Sequence, residues 1–307
     1  MKKVVLLGPQ RLTPTVIEAR KEMGLRGRTA TVTAGWQERE GEDAELDEAL
    51  SAKTVNLALY HRAEDVFRRD PELSAAYKKR QQRLREMQDL YRFRLEHALE
   101  AASVIGRWKA DPALVFETRN AAIEEVRRLD AEHLDRCRAV HGEFETRWHP
   151  AERDAVARHR SEIAARVEGS EAVAIAGGHV AVLLNRLRVF DVAKLLRGKI
   201  VFAWSAGAMA LAERVVLFHD HPPQGPGAAE VLDAGLGLCP RVVPLPHWRR
   251  RLRVEDRAGV SLMATRFAPA ACMAMDDGAR MTFDGRRWSG ATGVQRLAED
   301  GGLEAVS

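Results

Sequence analysis

The sequence of 307 residues, 46% hydrophobic and 30% charged, has the composition of a globular chain with room for one large domain or two modest ones, which excludes a disordered protein. No apolar run approaches the roughly 18 residues that a membrane-spanning helix needs. The 48 Lys and Arg residues nearly balance the 44 Asp and Glu residues, and a formal charge of +4 argues against nucleic acid as a partner.

Residues 1–60 alternate short β-rich runs with helix-like segments. The β-rich runs are 4–7, 29–33 and 55–60, and the helix-like segments are 14–23 and 43–50. This alternation is typical of βαβ units. It predicts the first part of an α/β domain with a mostly parallel sheet.

Residues 61–169 are predicted to be a helical insertion, because they contain no plausible strand and their apolar residues recur at steps of three, four or seven. Asp70 before Pro71 and Asp111 before Pro112 predict two helix starts, each with an Asp cap and a Pro in the first turn. Such an insertion serves either as an arm for a protein partner or self-association, or as a cap over an active site.

Residues 170–307 return to α/β patterning and are predicted to form the second part of the domain. Strands are expected at 172–176 and 199–204, and helices at 180–187 and 192–196. Further strands are expected at 215–218, 241–243, 260–264, 272–275 and 280–283.

Ser205 lies where a buried strand meets a helix of small residues. A serine on such a nucleophile elbow is exposed beside backbone N–H groups that favour negative charge, as an acyl-transfer nucleophile requires. The alternative is an ordinary serine N-cap. The sequence around Ser205 leaves both open.

Gly177 and Gly178 form a second strand-to-helix turn before His179. Paired glycines allow backbone N–H groups to face a ligand, so this loop is a candidate half of an oxyanion hole. A tight turn without further function is the alternative.

A Gly-Gly-His loop, a strand ending in Trp-Ser-Ala-Gly-Ala, a Gly-Leu-Gly-Leu stretch and a Pro-His-Trp stretch follow one another between residues 177 and 248. Together these motifs resemble the serine peptidases of the dipeptidase E and cyanophycinase family. The resemblance is loose over 1–60 and good over 170–265. It implies an α/β, flavodoxin-like fold related to class I glutamine amidotransferases, here with a long all-helical insertion in the mostly parallel sheet.

The resemblance also implies a catalytic triad. It assigns Ser205 as the nucleophile, His247 as the base, and the backbone N–H groups of Gly178 and Ala206 as the oxyanion hole. Asp220, which follows Ser205 by fifteen residues, is the implied third member. The substitutes for that third position are Glu213, Glu230 and Asp233.

Three further residues are candidates for substrate binding. His179 stands where relatives have Asn, and Arg251 and Arg253 match an arginine pattern that follows the histidine in cyanophycinases. A guanidinium there can hold a substrate carboxylate in a bidentate fork, which agrees with the family's preference for aspartyl peptides. A basic surface helix is the alternative for this tract.

No metal or cofactor is expected. The cysteines Cys137, Cys239 and Cys272 form no CxxC pair, which predicts neither a disulfide framework nor a zinc site and favours a cytoplasmic location. His219 and His221 have no carboxylate or cysteine partner at a metal-binding spacing.

The sequence therefore predicts a cytoplasmic serine hydrolase that cleaves a peptide or isopeptide bond in a small aspartyl-containing substrate. The alternative is a catalytically silent amidotransferase-like scaffold whose helical arm binds a protein partner or self-associates into a homodimer.

Overall fold

The computed structural model of the chain describes residues 3–50, 53–218 and 228–306. Asp220, His219 and His221 lie outside these ranges. The strands are β1 (Lys3–Leu7), β2 (Thr29–Val32), β3 (Thr54–Asn56), β4 (Ala172–Ile175), β5 (Ile200–Trp204), β6 (Arg214–Leu217), β7 (Glu230–Ala234), β8 (Val242–Pro246), β9 (Ala271–Phe283), β10 (Trp288–Leu297) and β11 (Leu303–Ala305).

Nine of these strands form one sheet, in the order β11-β10-β9-β1-β5-β4-β2-β3, with β8 paired to β9. Strands β6 and β7 form a separate two-stranded sheet.

The described residues form eleven α-helices. They are α1 (Val16–Glu22), α2 (Ala44–Ala49), α3 (Leu59–Arg69), α4 (Pro71–Ile105), α5 (Pro112–Trp148), α6 (Asp154–Glu168), α7 (Val180–Val189), α8 (Val192–Leu195), α9 (Ala206–Leu211), α10 (Trp248–Arg251) and α11 (Arg257–Phe267). Within these ranges, no helix has the length and apolarity that crossing a bilayer requires.

The predicted parallel sheet is confirmed in the half that comprises β1 to β5, where every neighbouring pair runs parallel. Strands β4 and β5 are buried along their whole length. Helices cover both faces of such a sheet, which explains why these strands are continuous apolar runs rather than alternating patterns.

Two sequence predictions differ from the structure in the other half. Residues 272–275 and 280–283 belong to one strand, β9, which pairs parallel with β8 and antiparallel with β1. Residues 260–264, predicted as a strand, lie in α11, whose first turn is capped by Asp256. A short apolar run fits a buried helix turn as well as a strand, because it is too short to show the period of either.

The helical insertion contains α3 to α6. The predicted caps are confirmed: Asp70 accepts a hydrogen bond from the backbone N–H of Leu73, and Asp111 caps the first turn of α5. Helices α4 and α5, of 35 and 37 residues, pack together as an antiparallel hairpin.

A buried polar cluster joins the hairpin to the α/β part of the chain, which we call the body. Arg266 on α11 makes two hydrogen bonds of 2.7 Å to the Asp130 carboxylate on α5, and the Tyr91 hydroxyl on α4 donates to the same carboxylate at 2.7 Å. The backbone N–H of Val231 on β7 donates to the Tyr91 hydroxyl at 3.1 Å. One cluster therefore joins both helices of the hairpin to α11 and β7.

Candidate active site

The candidate site lies at the edge of the sheet where β2, β4 and β5 end. These strands are parallel neighbours, so the loops that follow them meet at one edge, the usual ligand-binding edge of such sheets. Gly35 follows β2, Gly177 and Gly178 follow β4, and Ser205 follows β5.

Ser205 occupies a strained strand-to-helix turn. Its φ of 49° and ψ of −122° lie in a region that residues with a side chain rarely adopt. A Cβ on Gly207 would lie 2.4 Å from the carbonyl oxygen of Ile175, so the start of α9 approaches β4 as closely as only glycine permits. Ser205 occupies the N-cap position of α9, but its side chain makes no capping hydrogen bond.

The Ser205 side chain instead contacts His247. The distance from Ser205 Oγ to His247 Nε2 is 3.0 Å, within hydrogen-bonding range. His247 directly follows β8 and has a left-handed backbone, with φ of 59°. Its backbone N–H donates to the carbonyl of Met275 on β9 at 3.0 Å, which holds the histidine at the end of the sheet.

The glycine loop after β4 packs against the serine turn. A Cβ on Gly177 would lie 2.8 Å from Ser205 Cβ, and Gly178 has a φ of +106°. A Cβ on Gly178 would also lie 2.3 Å from the carbonyl oxygen of Gly35. Gly35 escaped the sequence prediction, although it follows a predicted strand in an Ala-Gly-Trp turn.

Two backbone N–H groups beside Ser205 suit an oxyanion. Ala206 is the first residue of α9, so its N–H has no acceptor within the helix. Gly178 N–H belongs to the adjacent loop, and no backbone hydrogen bond occupies it within the described residues. These are the donors that the resemblance implies.

His179 stands at the start of α7. Its side chain is exposed, and its Nδ1 accepts from the backbone N–H of Val182 at 3.4 Å. Its own N–H donates to the carbonyl of Gly35 at 2.8 Å. In this structure the residue caps a helix and joins two loops of the site.

The substitutes for a third triad carboxylate all have other partners. Glu213 accepts from the backbone N–H of Arg241 at 3.1 Å, and Glu230 pairs with Arg92 at 3.0 Å. Asp233 binds His141 at 3.0 Å and also contacts Arg188. Asp220, the first choice, lies outside the described residues.

The arginines that follow His247 have different surroundings. Arg251 is partly buried, with its guanidinium 5.6 Å from the centre of the Phe218 ring, and no carboxylate in the described part of the chain pairs with it. Arg249 pairs with Asp276 at 3.4 Å. Arg253 is exposed and lines a cleft between α4 and α11.

The electrostatic environment of His247 favours a neutral imidazole. Burial lowers the pKa of the ring below its ordinary value, and the positive charge of Arg251 lowers it further. Asp276 and Asp277, which sequence analysis did not single out, act in the opposite direction. A neutral His247 can accept a proton from Ser205 at neutral pH.

We expect opposite pH shifts from two substitutions near His247. Arg251→Met removes a positive charge, raises the pKa of His247 and moves the rise of reactivity to higher pH. Asp276→Asn removes a negative charge, lowers the pKa and moves the rise to lower pH. The rate of inactivation by a neutral fluorophosphonate, measured against pH, reports both shifts. Equal or absent shifts would contradict this electrostatic picture.

An α/β sheet that holds a serine on a strained turn, hydrogen-bonded to a histidine, is the architecture of a serine hydrolase. The model of peptidase family S51 matches residues 127–289, which include both Ser205 and His247. The chain belongs to peptidase family S51, the dipeptidase E family of serine peptidases.

Two solved structures are similar to the chain at low sequence identity. One is a peptidase from an acI-B1 Actinobacterium, with 12% identity, a TM-score of 0.41, and coverage of 97% of this chain and 91% of that one. The other is a putative peptidase E protein from Listeria monocytogenes EGD-e, with 11% identity, a TM-score of 0.43, and coverage of 97% and 100%. No curated protein matches the chain at a significant level.

Proposed function

We propose that the chain hydrolyses a peptide or isopeptide bond in a small substrate that carries an acidic group, through an acyl-enzyme on Ser205. The observation that carries the proposal is the 3.0 Å contact between Ser205 Oγ and His247 Nε2 at a strained turn. Asp220 is the carboxylate proposed to orient His247.

In the proposed mechanism His247 Nε2 accepts the hydroxyl proton as Ser205 Oγ attacks the substrate carbonyl. The tetrahedral oxyanion accepts hydrogen bonds from Gly178 and Ala206, each worth about 2.7–4 kcal/mol of barrier reduction. The imidazolium then protonates the amine as the C–N bond breaks. Water, deprotonated by His247, attacks the ester and releases the acid and the free serine.

The surroundings of Arg251 favour a substrate that carries an acidic group. The Arg251 guanidinium is partly buried near His247, and this burial lowers the pKa of the group. A partly buried guanidinium that no described carboxylate neutralises is suited to bind a carboxylate of the substrate in a bidentate fork. The proposed class is therefore an aspartyl peptide or isopeptide.

We expect Arg251→Met to lower kcat/KM about 10- to 100-fold more for an Asp-containing dipeptide than for the matching Asn-containing dipeptide. The ratio of the kcat/KM values for the two dipeptides, measured at one pH, separates carboxylate binding from the effect of Arg251 on the pKa of His247. Steady-state hydrolysis of both dipeptides by each variant measures that ratio.

Arg249→Met is the matched control, because Arg249 lies on the same short helix and already pairs with Asp276. It should leave the ratio as in the parent chain. An equal loss for both dipeptides in Arg251→Met would overturn the assignment of Arg251 while leaving the nucleophile untouched.

A further inference from the structure

A cleft of about 330 Å³ lies between the helical hairpin and the body, and neither Ser205 nor His247 lines it. One wall comes from α4 and the other from α11 and the segment after α10. Its apolar lining consists of Leu99, Ala228, Ala229, Leu252, Val260, Leu262, Met263 and Leu297. An engineered cavity of roughly 150 Å³ holds a benzene molecule, so this cleft is large enough for an indole ring.

The polar lining of the cleft has three acidic side chains among its five charged ones. It contains Glu96, Glu100 and Asp256, together with Arg253 and the inner residue Arg266, whose charge is paired with Asp130. Within the part of the chain that the structure describes, no Lys, Arg or His side chain forms an ion pair with Glu96 or Glu100. The cleft therefore suits an apolar group that has positive charge beside it.

The tip of the hairpin presents such a group. Trp108 lies in the turn between α4 and α5, is 65% exposed and stands between Arg107 and Lys109. Leu114 and Phe116, at the start of α5, are 57% and 67% exposed. Trp and Arg are among the residues that most often dominate the energy of protein interfaces.

We propose that the hairpin tip of one chain docks in the cleft of a second copy, and that the second copy docks its tip in the cleft of the first. Trp108 fills the cleft, and Arg107 and Lys109 lie against Glu96 and Glu100. The tip is apolar and basic, and the cleft is apolar and acidic. Because one chain carries both matching surfaces, we infer that the partner is a second copy of the chain.

The positions along α4 allow both contacts at once. Leu99 in the cleft and Trp108 at the tip lie on either side of Val104, which is itself 39% exposed. At about 1.5 Å per residue, two α4 helices that cross antiparallel near Val104 bring each Trp108 opposite Leu99 of the other copy. The result is a closed pair with two-fold symmetry rather than an open chain.

Charge reversal tests the pairing. We expect the unmodified full chain to sediment as a dimer that dissociates on dilution. Reversing the tip (Arg107→Glu with Lys109→Glu) or the cleft (Glu96→Lys with Glu100→Lys) should give monomers, because like charges then face each other in both contacts. An equimolar mixture of the two variants should dimerise again, since each contact regains opposite charges.

Trp108→Ala should weaken the dimer at least about thirtyfold. Leu12→Ala is the matched control, because Leu12 is 71% exposed but lies on the body, and it should leave the dimer unchanged. Sedimentation measures both, and circular dichroism verifies folding. A monomeric parent chain, a dimer that persists in either charge-reversed variant, or a mixture that stays monomeric would overturn the proposal.

Discussion

Ser205→Ala is expected to abolish covalent labelling by a fluorophosphonate and to lower kcat for peptide hydrolysis by about 10⁴- to 10⁶-fold. The substitution removes the oxygen that lies 3.0 Å from His247 Nε2, which is the proposed acceptor of the acyl group. His247→Ala should have an effect of similar size, because the hydroxyl then keeps its proton. Intact-mass spectrometry after labelling and steady-state kinetics measure the two losses.

Ser161→Ala is the control for these variants, because Ser161 is an exposed serine on α6 that donates to the carbonyl of Ala157. The Ser161→Ala variant should form the fluorophosphonate adduct and hydrolyse the peptide at the same rates as the parent chain. An adduct that persists in Ser205→Ala would place the reactive nucleophile elsewhere. A folded parent chain that forms no adduct would favour the silent scaffold over the peptidase.

Asp130→Ala is expected to destabilise the chain by about 3–5 kcal/mol, the largest effect on stability that we predict. The Arg266 and Asp130 side chains are only 2% and 3% exposed, so the substitution leaves a guanidinium in the core without its carboxylate. It also removes the acceptor of the Tyr91 hydroxyl. Urea denaturation, followed by circular dichroism, measures the free energy of unfolding.

Glu132→Ala is the control on the same helix. Glu132 pairs with Arg94 at 3.4 Å, but the Arg94 and Glu132 side chains are 52% and 38% exposed, and an exposed pair contributes about 0–1 kcal/mol. The double variant Asp130→Leu with Arg266→Met should be more stable than Asp130→Ala, because it removes both charges together. Equal losses for Asp130→Ala and Glu132→Ala would show that the buried cluster does not hold the hairpin.

Features fixed by neighbouring residues could be predicted from the sequence. The Asp-Pro pairs at 70–71 and 111–112 begin the two long helices because a cap and its N–H groups lie within one turn. The pairing of Ser205 with His247 could be predicted only through the family's motifs, since 42 residues separate them.

Features that depend on distant segments escaped prediction. Gly35 is required because a loop after β2 touches a loop after β4, and nothing near Gly35 encodes that contact. The docking of the hairpin depends on Arg266, which lies 136 residues from Asp130. Arg266 lies on α11, and the apolar run at 260–264 in that helix suits a strand equally well.

The strand order of the sheet has a consequence for the order of folding. Strand β1 lies between β5 and β9, so Lys3 pairs with Ile200, and Val4 with both Val201 and Phe283. Contacts so distant in sequence form slowly, whereas the hairpin of α4 and α5 needs only a short turn. During synthesis the hairpin should therefore form early, whereas both edges of β1 stay unpaired until β5 has emerged, and one edge stays unpaired until β9 follows.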